Sequence, residues 1–512
     1  MESSTVLVGV TVILVGYLFH KYFIKIYDYW AKRGVPYVEG ALPFVGHNLP
    51  LYLFRKDLPG LCEEIYKSHG NRSMVGFYQN RNPTLLLRDP ELVKTVLISG
   101  FSNFHINVMH IDPELDPLLA LNPFFVYGDE WKKRRNYLSN ALMSSKKLKV
   151  FSATVTNVCA KFTKYLEDHA KKSNGVYEVE SKDLFKRFTG EVVSSVGFGI
   201  EGEFFSDKSN PNSFKGTVEG VFEPTLMNNI IFGFILFAPA LNKLFRLSFL
   251  SKRVDEFFRR VTDEVIATRR NDSTAARNDF IQLMMEAHTE KDGKIDYPGL
   301  TASATSFFID GYETSAITLL FFAYQVALNP DVQDKLRREV IGVLEKHGGE
   351  VTYDSIAEMT YMDQALNESM RVNPAFGILM KRCNERCKLV GEDGIECIIE
   401  PGVDIIVPSE YLQHDPKYWE NPEVYDPERF SDEAKNNRPK TVFMPFGEGP
   451  RICVGQRFAI LQMKAAMATI LRRFSIEFQR FSITAALSGE GKFELLINGN
   501  ATRVGERQPI EG

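Results

Sequence analysis

The sequence predicts a mainly α-helical protein with a small β-sheet region, preceded by one N-terminal transmembrane helix. Three observations predict this fold class. Long segments repeat apolar residues at three- and four-residue spacing, strand patterns are few and short, and an uncharged apolar run lies near the N-terminus. The chain has 512 residues, of which 44% are hydrophobic, so it can bury a large core.

An N-terminal membrane anchor is predicted because the stretch from Ser3 to His20 contains no Lys, Arg, Asp or Glu. A removable signal peptide is the alternative, but the first residues carry no positive charge and no small-residue cleavage pattern follows the run. Positive charge comes after the run, which favours a cytosolic location for the rest of the chain. These basic residues are Lys21, Lys25, Lys32 and Arg33.

The chain beyond the anchor is predicted to form one catalytic domain. We assign residues 1–25 to the anchor, 26–50 to a basic and Pro-rich hinge, and 51–512 to the domain, since no Gly-, Ser- or Pro-rich linker and no repeat follows. Helical periodicity and strand patterns both occur within this domain. The helices are predicted over 257–269, 300–328, 330–346 and 457–473, and the strands over 84–87, 397–399 and 403–407.

Charge and cysteine content exclude several classes of protein. The 61 basic and 65 acidic residues give a net charge of −4, which is not typical of a nucleic-acid-binding protein. The six cysteines are too sparse for a disulfide-stapled secreted fold. Cys383 and Cys387 are four residues apart, but no second ligand pair lies near them at zinc-site spacing. A reducing compartment is therefore expected.

The segment from Phe446 to Gly455 carries the clearest chemical signal. Its glycines, including Gly447, allow the backbone to turn sharply and to approach a flat ligand. Cys453 stands at the start of an apolar helix, where the helix dipole favours a thiolate. Arg451 could bind a carboxylate of the same ligand through its guanidinium group. The alternative, a buried structural cysteine beside a surface turn, does not account for the coincidence of so many motif residues.

This segment resembles the cysteine loop of the cytochrome P450s, the haem-thiolate monooxygenases, and three further motifs occur in the family's order. The first is Glu368-Ser369-Met370-Arg371, whose ends can pair on one helix face. In the second, Asp426 to Phe430, Arg429 joins that pair in the family. In the third, the resemblance implies that Trp131 and Arg135 would reach the haem propionates. The chain most resembles the microsomal, xenobiotic-handling clan of animal enzymes, and particularly its arthropod members.

A further motif, Asp310-Gly311-Tyr312-Glu313-Thr314-Ser315, lies midway along the helix predicted over 300–328. The resemblance implies that Gly311 gives room above the haem, that Thr314 supports oxygen activation by hydrogen bonding, and that Glu313 belongs to the proton supply. A hydroxyl that bonds to its own helix is the alternative for Thr314. Asp310 departs from the family, which usually has Ala or Gly here. We expect Asp310 to contact either the substrate or the proton supply, or else to cap neighbouring polar groups.

The resemblance also implies the cofactor, the iron ligand and the reaction. Cys453 would bind the iron of haem b, and Arg382 or its neighbour Lys381 would contact a propionate, with Phe446 and Gly447 shaping the loop. The implied reaction is insertion of one oxygen atom of dioxygen into a lipophilic xenobiotic, steroid, fatty acid or terpenoid. No dinucleotide-binding fingerprint is present. Electrons would therefore come from NADPH through a separate cytochrome reductase, with cytochrome b5 as a second possible donor.

The expected location is the endoplasmic reticulum membrane, crossed once, with the catalytic domain in the cytosol. The run from Ile230 to Phe237 is too short to span a bilayer and either dips into its surface or forms a buried helix. Substrate-pocket walls are expected from 101–125 and 204–241. The reductase is expected to dock on a basic patch formed by Lys132, Lys133, Arg134, Lys335, Arg337, Arg338, Arg438 and Lys440.

Two other functions remain open. A haem-thiolate isomerase or dehydratase would rearrange peroxides without a reductase, although the acid and alcohol of Glu313 and Thr314 argue for proton delivery instead. A haem carrier or gas sensor would need neither side chain. Dependence of turnover on NADPH and reductase distinguishes a monooxygenase from the isomerase or dehydratase. Steady product formation excludes the carrier or sensor.

Overall fold

The structure is a computed structural model, and it describes most of the chain from Val10 to Gly499. Part of the predicted anchor, residues 1–9, 12, 19–20 and 22–23, lies outside the described residues. The described residues are 10–11, 13–18, 21, 24–142, 144–208, 210–219, 221, 225–237, 242, 244–271, 277–289, 295–434, 436–483 and 491–499.

Helices dominate the described residues, as the periodicity predicts, and each of the four predicted helices is present. In chain order the α-helices are α1 (Leu49–Tyr52), α2 (Leu58–Ser68), α3 (Pro90–Lys94), α4 (Gly128–Leu142), α5 (Ser145–Lys172), α6 (Ser181–Phe198), α7 (Phe214–Val218), α8 (Leu226–Phe237), α9 (Lys252–Asn271), α10 (Phe280–Ala287), α11 (Tyr297–Leu328), α12 (Pro330–Lys346), α13 (Tyr353–Glu358), α14 (Thr360–Val372), α15 (Ser409–His414) and α16 (Gln456–Arg473).

The strands are short, and all three predicted strands are present. They are β1 (Met74–Gln79), β2 (Asn82–Leu87), β3 (Ile106–Asn107), β4 (Val176–Glu180), β5 (Leu379–Arg382), β6 (Cys387–Val390), β7 (Glu396–Ile399), β8 (Asp404–Val407), β9 (Ser475–Ile483) and β10 (Gly491–Asn498).

The chain forms two compact units. Unit 1 comprises the described residues up to Met109 together with Phe376–Asn421 and Arg438–Ile452. Unit 2 comprises His110–Ala375, Pro422–Asn437 and the described residues from Cys453 onward. The expectation of a single catalytic domain over 51–512 stays a prediction.

Unit 1 is built around a mixed five-stranded sheet with the order β1-β2-β8-β5-β3, and β6 and β7 form a separate antiparallel pair. Strand β2 runs parallel to β8, and β5 runs antiparallel to it. The apolar runs of β2 and β8 are buried, as expected for central strands. This sheet fixes the directions in which the successive side chains of β5 point. Two of them, Lys381 and Arg382, are the candidate contacts for a propionate.

Unit 2 is organised around the 32-residue helix α11, which packs against α6, α10, α14 and α16. The helix begins where the Asp296 side chain accepts a hydrogen bond from the Gly299 N–H at 3.0 Å, an N-terminal cap. Phe307 stacks on Phe280 at 4.2 Å between ring centroids and contacts Phe458 at 5.4 Å. Aromatic packing thus holds α11 against its neighbours and fixes the position of the Asp310–Ser315 motif.

Among the described residues, no helix has both the length and the apolar character needed to cross a bilayer. The predicted transmembrane helix is therefore not supported by the structure.

The loop before Cys453 depends on two glycines with left-handed backbone. Gly447 has φ +73° and Gly449 has φ +74°. A Cβ at Gly449 would lie 1.9 Å from the Leu97 carbonyl oxygen, whereas a Cβ at Gly447 would meet no heavy atom within 4 Å. The close backbone approach requires glycine at position 449, while only the φ angle requires it at 447.

Gly449→Ala should therefore destabilise the protein more than Gly447→Ala does. The φ strain alone costs about 1–2 kcal/mol in either variant, but in Gly449→Ala the backbone must also move away from Leu97. Thermal unfolding midpoints of the two purified variants would measure the difference. Equal midpoints would contradict the close approach seen in the structure.

Candidate active site

Cys453 lies in the turn before α16, which begins at Gln456. The thiol is exposed, unlike Cys62 and Cys159, which are buried. Its sulfur accepts hydrogen bonds from the backbone N–H groups of Gly455 and Gln456, at the start of the helix. The predicted placement at a helix N-terminus is therefore present.

Burial raises the pKa of the Cys453 thiol, and the negative charge of Asp310 acts in the same direction. The N–H groups of Gly455 and Gln456 and the charge of Arg135 lower the pKa but do not outweigh burial. The helix N-terminus therefore favours the thiolate, as predicted, but desolvation is the larger effect on the pKa. A side chain that is accessible and yet strongly desolvated lies in a recess, so Cys453 lines a recess of unit 2.

Trp131 and Arg135 lie one helical turn apart on α4. Trp131 is buried and Arg135 is half-buried. Desolvation lowers the pKa of Arg135. Among the described residues, only the negative charge of Cys453 raises it. A desolvated cation near Cys453 without a carboxylate partner in that part of the chain suits an anionic ligand group.

Asp310 and Thr314 share a face of α11, and this face is accessible in an otherwise buried helix. Asp310 is exposed, and Thr314, Ile317 and Phe321 follow at helical spacing with partial exposure. The Thr314 hydroxyl donates to the Asp310 backbone carbonyl at 2.6 Å, which is the alternative geometry considered for this residue. Its role in oxygen activation stays a prediction.

Glu313 points to a different side of α11. Its two carboxylate oxygens each lie 3.3 Å from a lysine of α6, Lys182 for Oε1 and Lys186 for Oε2. The carboxylate is buried, as are most of its neighbours on this helix. The structure thus separates Glu313 from the face shared by Asp310 and Thr314, and its part in proton supply stays a prediction.

Gln462 on α16 links the cysteine helix to the α11 motif, and sequence reasoning missed it. Its side-chain nitrogen donates to Ser315 Oγ at 2.8 Å and to the Gly311 carbonyl at 3.4 Å. The sequence signal that could have found it is an amide residue within an apolar helical stretch, because a buried amide needs hydrogen-bond partners. Gln462 is fully buried in the structure. Gly311 itself permits the close approach of α6, since a Cβ there would lie 3.0 Å from Val193 Cγ1.

The predicted pair of Glu368 and Arg371 is present on α14 and completely buried. Arg371 donates from Nε and Nη2 to the two carboxylate oxygens at 2.7 and 2.8 Å. Arg429 Nε lies 3.3 Å from the same carboxylate, and the Asp426 N–H donates to it at 3.0 Å. Arg371 also donates to the Pro422 carbonyl at 2.7 Å. The cluster therefore ties segment 422–430 to α14.

In unit 1, neighbouring residues of β5 have different surroundings. Arg382 forms a bidentate pair with Asp404 of β8, at 2.7 and 3.0 Å. Lys381 is buried and donates to the Asn107 amide oxygen at 2.7 Å. Desolvation, and then the charge of Arg451, lower the pKa of Lys381 to about 7. No carboxylate contacts Lys381 in the described part of unit 1, so Lys381 and Arg451 together suit an anionic group.

The predicted basic docking patch is wrong in two members. Arg134 is buried and donates from Nε to Glu130 at 2.6 Å. Arg337 is also buried and donates to the Phe474 carbonyl. Their guanidinium groups donate hydrogen bonds inside unit 2 and are not available at a surface, whereas Lys133 and Arg338 are exposed.

Comparisons with known proteins match the family that the sequence motifs resemble. The sequence profile of the family described as Cytochrome P450 matches residues 36–491. The chain is 33% identical to Cytochrome P450 9e2 of Blattella germanica over 95% of both chains. It is 34% identical to Probable cytochrome P450 28d1 of Drosophila melanogaster, with 88% of this chain and 89% of the relative covered. The resemblance found in the motifs, including the likeness to arthropod members, is confirmed.

Glu368→Ala should lower the free energy of unfolding by about 3–5 kcal/mol, because it leaves Arg371 buried without its carboxylate. The matched control is Glu63→Ala, which removes an exposed i,i+4 partner of Lys67 and should cost less than about 1 kcal/mol. Denaturant unfolding of both variants measures the difference. Similar losses in the two variants would show that the buried cluster contributes no more than a surface pair.

Proposed function

The chain belongs to the cytochrome P450 family, and we propose from this premise that it inserts one oxygen atom of dioxygen into a lipophilic small molecule, with electrons supplied from NADPH. The observation that carries the proposal is the placement of Cys453. Its thiol lines a recess of unit 2 and lies within electrostatic reach of Asp310, on the accessible face of α11. A haem ligand and an accessible helix face are the two elements that this reaction requires.

The cofactor is haem b, which members of the family bind. When bound through a thiolate, haem supplies reductive activation of dioxygen, because the thiolate donates electron density to the iron. Cys453 would hold the iron, and iron binding itself would deprotonate the sulfur in spite of its raised pKa. The chemistry of the donors fits this group, since haem carries two propionates, and neither Arg135 nor Lys381 has a carboxylate partner among the described residues.

In unit 2, Arg135 would bind a propionate, with Trp131 beside it on α4. In unit 1, we assign this role to Arg451 and to Lys381. Arg382 is the less suitable candidate because Asp404 already engages its guanidinium in a bidentate pair. Phe446 and Gly447 would shape the loop that leads to the cysteine.

The accessible face of α11 would position the substrate and hold protons. Thr314 donates its own proton to the Asp310 carbonyl, so its oxygen lone pairs remain able to accept a hydrogen bond. Glu313 is held by Lys182 and Lys186, and we assign it to proton supply at a distance from this face.

A separate NADPH-dependent cytochrome reductase would deliver both electrons, with cytochrome b5 as a second donor. The sequence contains no flavin or nicotinamide fingerprint of its own. The exposed Lys133 of α4 and Arg338 of α12 offer positive charge to an acidic flavoprotein.

We place the protein at the endoplasmic reticulum membrane, with residues 1–25 as the anchor and a second contact at α8. Within α8 only Ile235 is buried, and Leu226, Met227 and Phe232 are exposed. An exposed apolar helix of this length suits insertion into a membrane surface and does not suit spanning. The exposed apolar residues at 10 and 13–18 support the anchor in the same way.

Reduced protein with carbon monoxide should show the Soret band at the thiolate position, and Cys453→His should abolish it. Cys387→Ser, a change at a half-buried cysteine of β6, is the control and should leave the band intact. Survival of the band in Cys453→His would refute the ligand assignment.

Incorporation of labelled oxygen from dioxygen should require NADPH and reductase. Conversion of peroxides without them would instead indicate an isomerase, and no turnover a carrier or sensor.

Lys381→Met should speed the loss of haem by about tenfold or more, since a charge-assisted hydrogen bond contributes about 1.5–3 kcal/mol. Transfer of haem to an excess of a haem-scavenging apoprotein measures the rate without any need for turnover. Lys388→Met, a change at an exposed lysine of β6 paired with Glu396, is the control. Equal rates of haem loss in the two variants would contradict the assignment of Lys381 to a propionate.

A further inference from the structure

One carboxylate of α11 interrupts a long buried stretch. The residues from Gly299 to Ile309 are buried, and so are Tyr312 and Glu313, but Asp310 between them is exposed. The helix packs against other helices of unit 2 along its length. Although Asp310 is exposed, desolvation by the surrounding protein has the largest effect on the pKa of its carboxyl group. Asp310 therefore faces the interior of a recess and not open solvent.

A single neutral side chain holds this carboxylate in place. The Asn122 amide nitrogen donates to both oxygens of Asp310, at 3.1 and 3.0 Å. The Asn122 oxygen accepts the backbone N–H of Phe124 at 2.7 Å, which fixes the orientation of the amide. Asn122 is itself only 1% exposed. The pair is thus rigid, and the remaining lone pairs of the carboxylate point away from Asn122.

Several other buried acids of unit 2 have cationic partners, whereas the buried Asp116 accepts two backbone N–H groups instead. Glu313 lies beside Lys182 and Lys186, Glu368 beside Arg371, and Asp279 beside Arg269. Among the described residues, no basic side chain pairs with Asp310. Without one, desolvation raises the pKa of Asp310 to about 7 in spite of the bond from Asn122. A cationic group of a bound molecule would supply the positive charge that the described residues do not.

We propose that Asp310, held by Asn122, is a substrate-binding subsite for a positively charged nitrogen. This inference rests on the proposed function and narrows its substrate class to lipophilic molecules that carry a cationic amine or quaternary ammonium group. The cation would lie against the free edge of the Asp310 carboxylate, and the apolar remainder of the molecule would fill the recess along Thr314 and Ile317. Neutral lipophilic molecules would bind without using this subsite.

The test compares two probes of equal shape on the haem-loaded full-length protein. One is (4-phenylbutyl)trimethylammonium, which has no lone pair and cannot bind iron through nitrogen. The other is (5,5-dimethylhexyl)benzene, in which carbon replaces that nitrogen. Equilibrium dialysis gives both dissociation constants for the wild-type protein, for Asp310→Asn, and for Asp331→Asn as a control at an exposed carboxylate of α12.

Asp310→Asn should weaken binding of the cation at least tenfold and change binding of the neutral probe by less than twofold, while Asp331→Asn should change neither. If Asp310→Asn weakens binding of both probes, or changes binding of neither, the proposal is overturned. If Asp310→Asn does not take up haem, Asp310→Ala replaces it, because the family usually has Ala or Gly here. Failure of the wild-type protein to bind the cation also overturns the proposal. A wild-type protein without the carbon monoxide band would instead refute the proposed function.

Discussion

Compensation of buried charge is the constraint on which the organisation of unit 2 depends. Helix α11 carries acidic and hydroxyl side chains through the middle of an apolar core, where an uncompensated charge is costly. Glu313 is stabilised there by two lysines of α6. Glu368 likewise brings together α14 and segment 422–430 through Arg371 and Arg429. The positions of α6, α11 and α14 are thus coupled to the electrostatics of the buried groups as well as to aromatic packing.

Much of this organisation could be predicted because its signals are local. Periodicity places α9, α11, α12 and α16, and the i,i+3 spacing of Glu368 and Arg371 predicts their pairing. The cysteine loop is likewise readable, since glycine at positions such as Gly449 reflects a backbone requirement. Features of this kind depend on a few consecutive residues, and a sequence shows them directly.

The direction in which a side chain faces, and what it meets, could not be predicted. Glu313 and Thr314 are adjacent in sequence but lie on different sides of α11, and only the fold reveals the lysines beside Glu313. The raised pKa of Cys453 could not be predicted either, because the effect of the helix N-terminus is local, whereas desolvation depends on every element packed around the thiol. The choice between Lys381 and Arg382 likewise required the neighbouring strand that supplies Asp404.

Asp310 and Lys381 are instructive together because they are incompletely compensated charges of opposite sign. Burial moves the pKa of each to about 7, upward for the acid and downward for the amine. Among the described residues, each is hydrogen-bonded by the neutral amide of an asparagine, Asn122 for Asp310 and Asn107 for Lys381. A neutral partner fixes the geometry of a charged group without cancelling its charge, so the group keeps its affinity for a ligand of opposite sign. Lys381 therefore suits an anion such as a propionate, and Asp310 suits a cation.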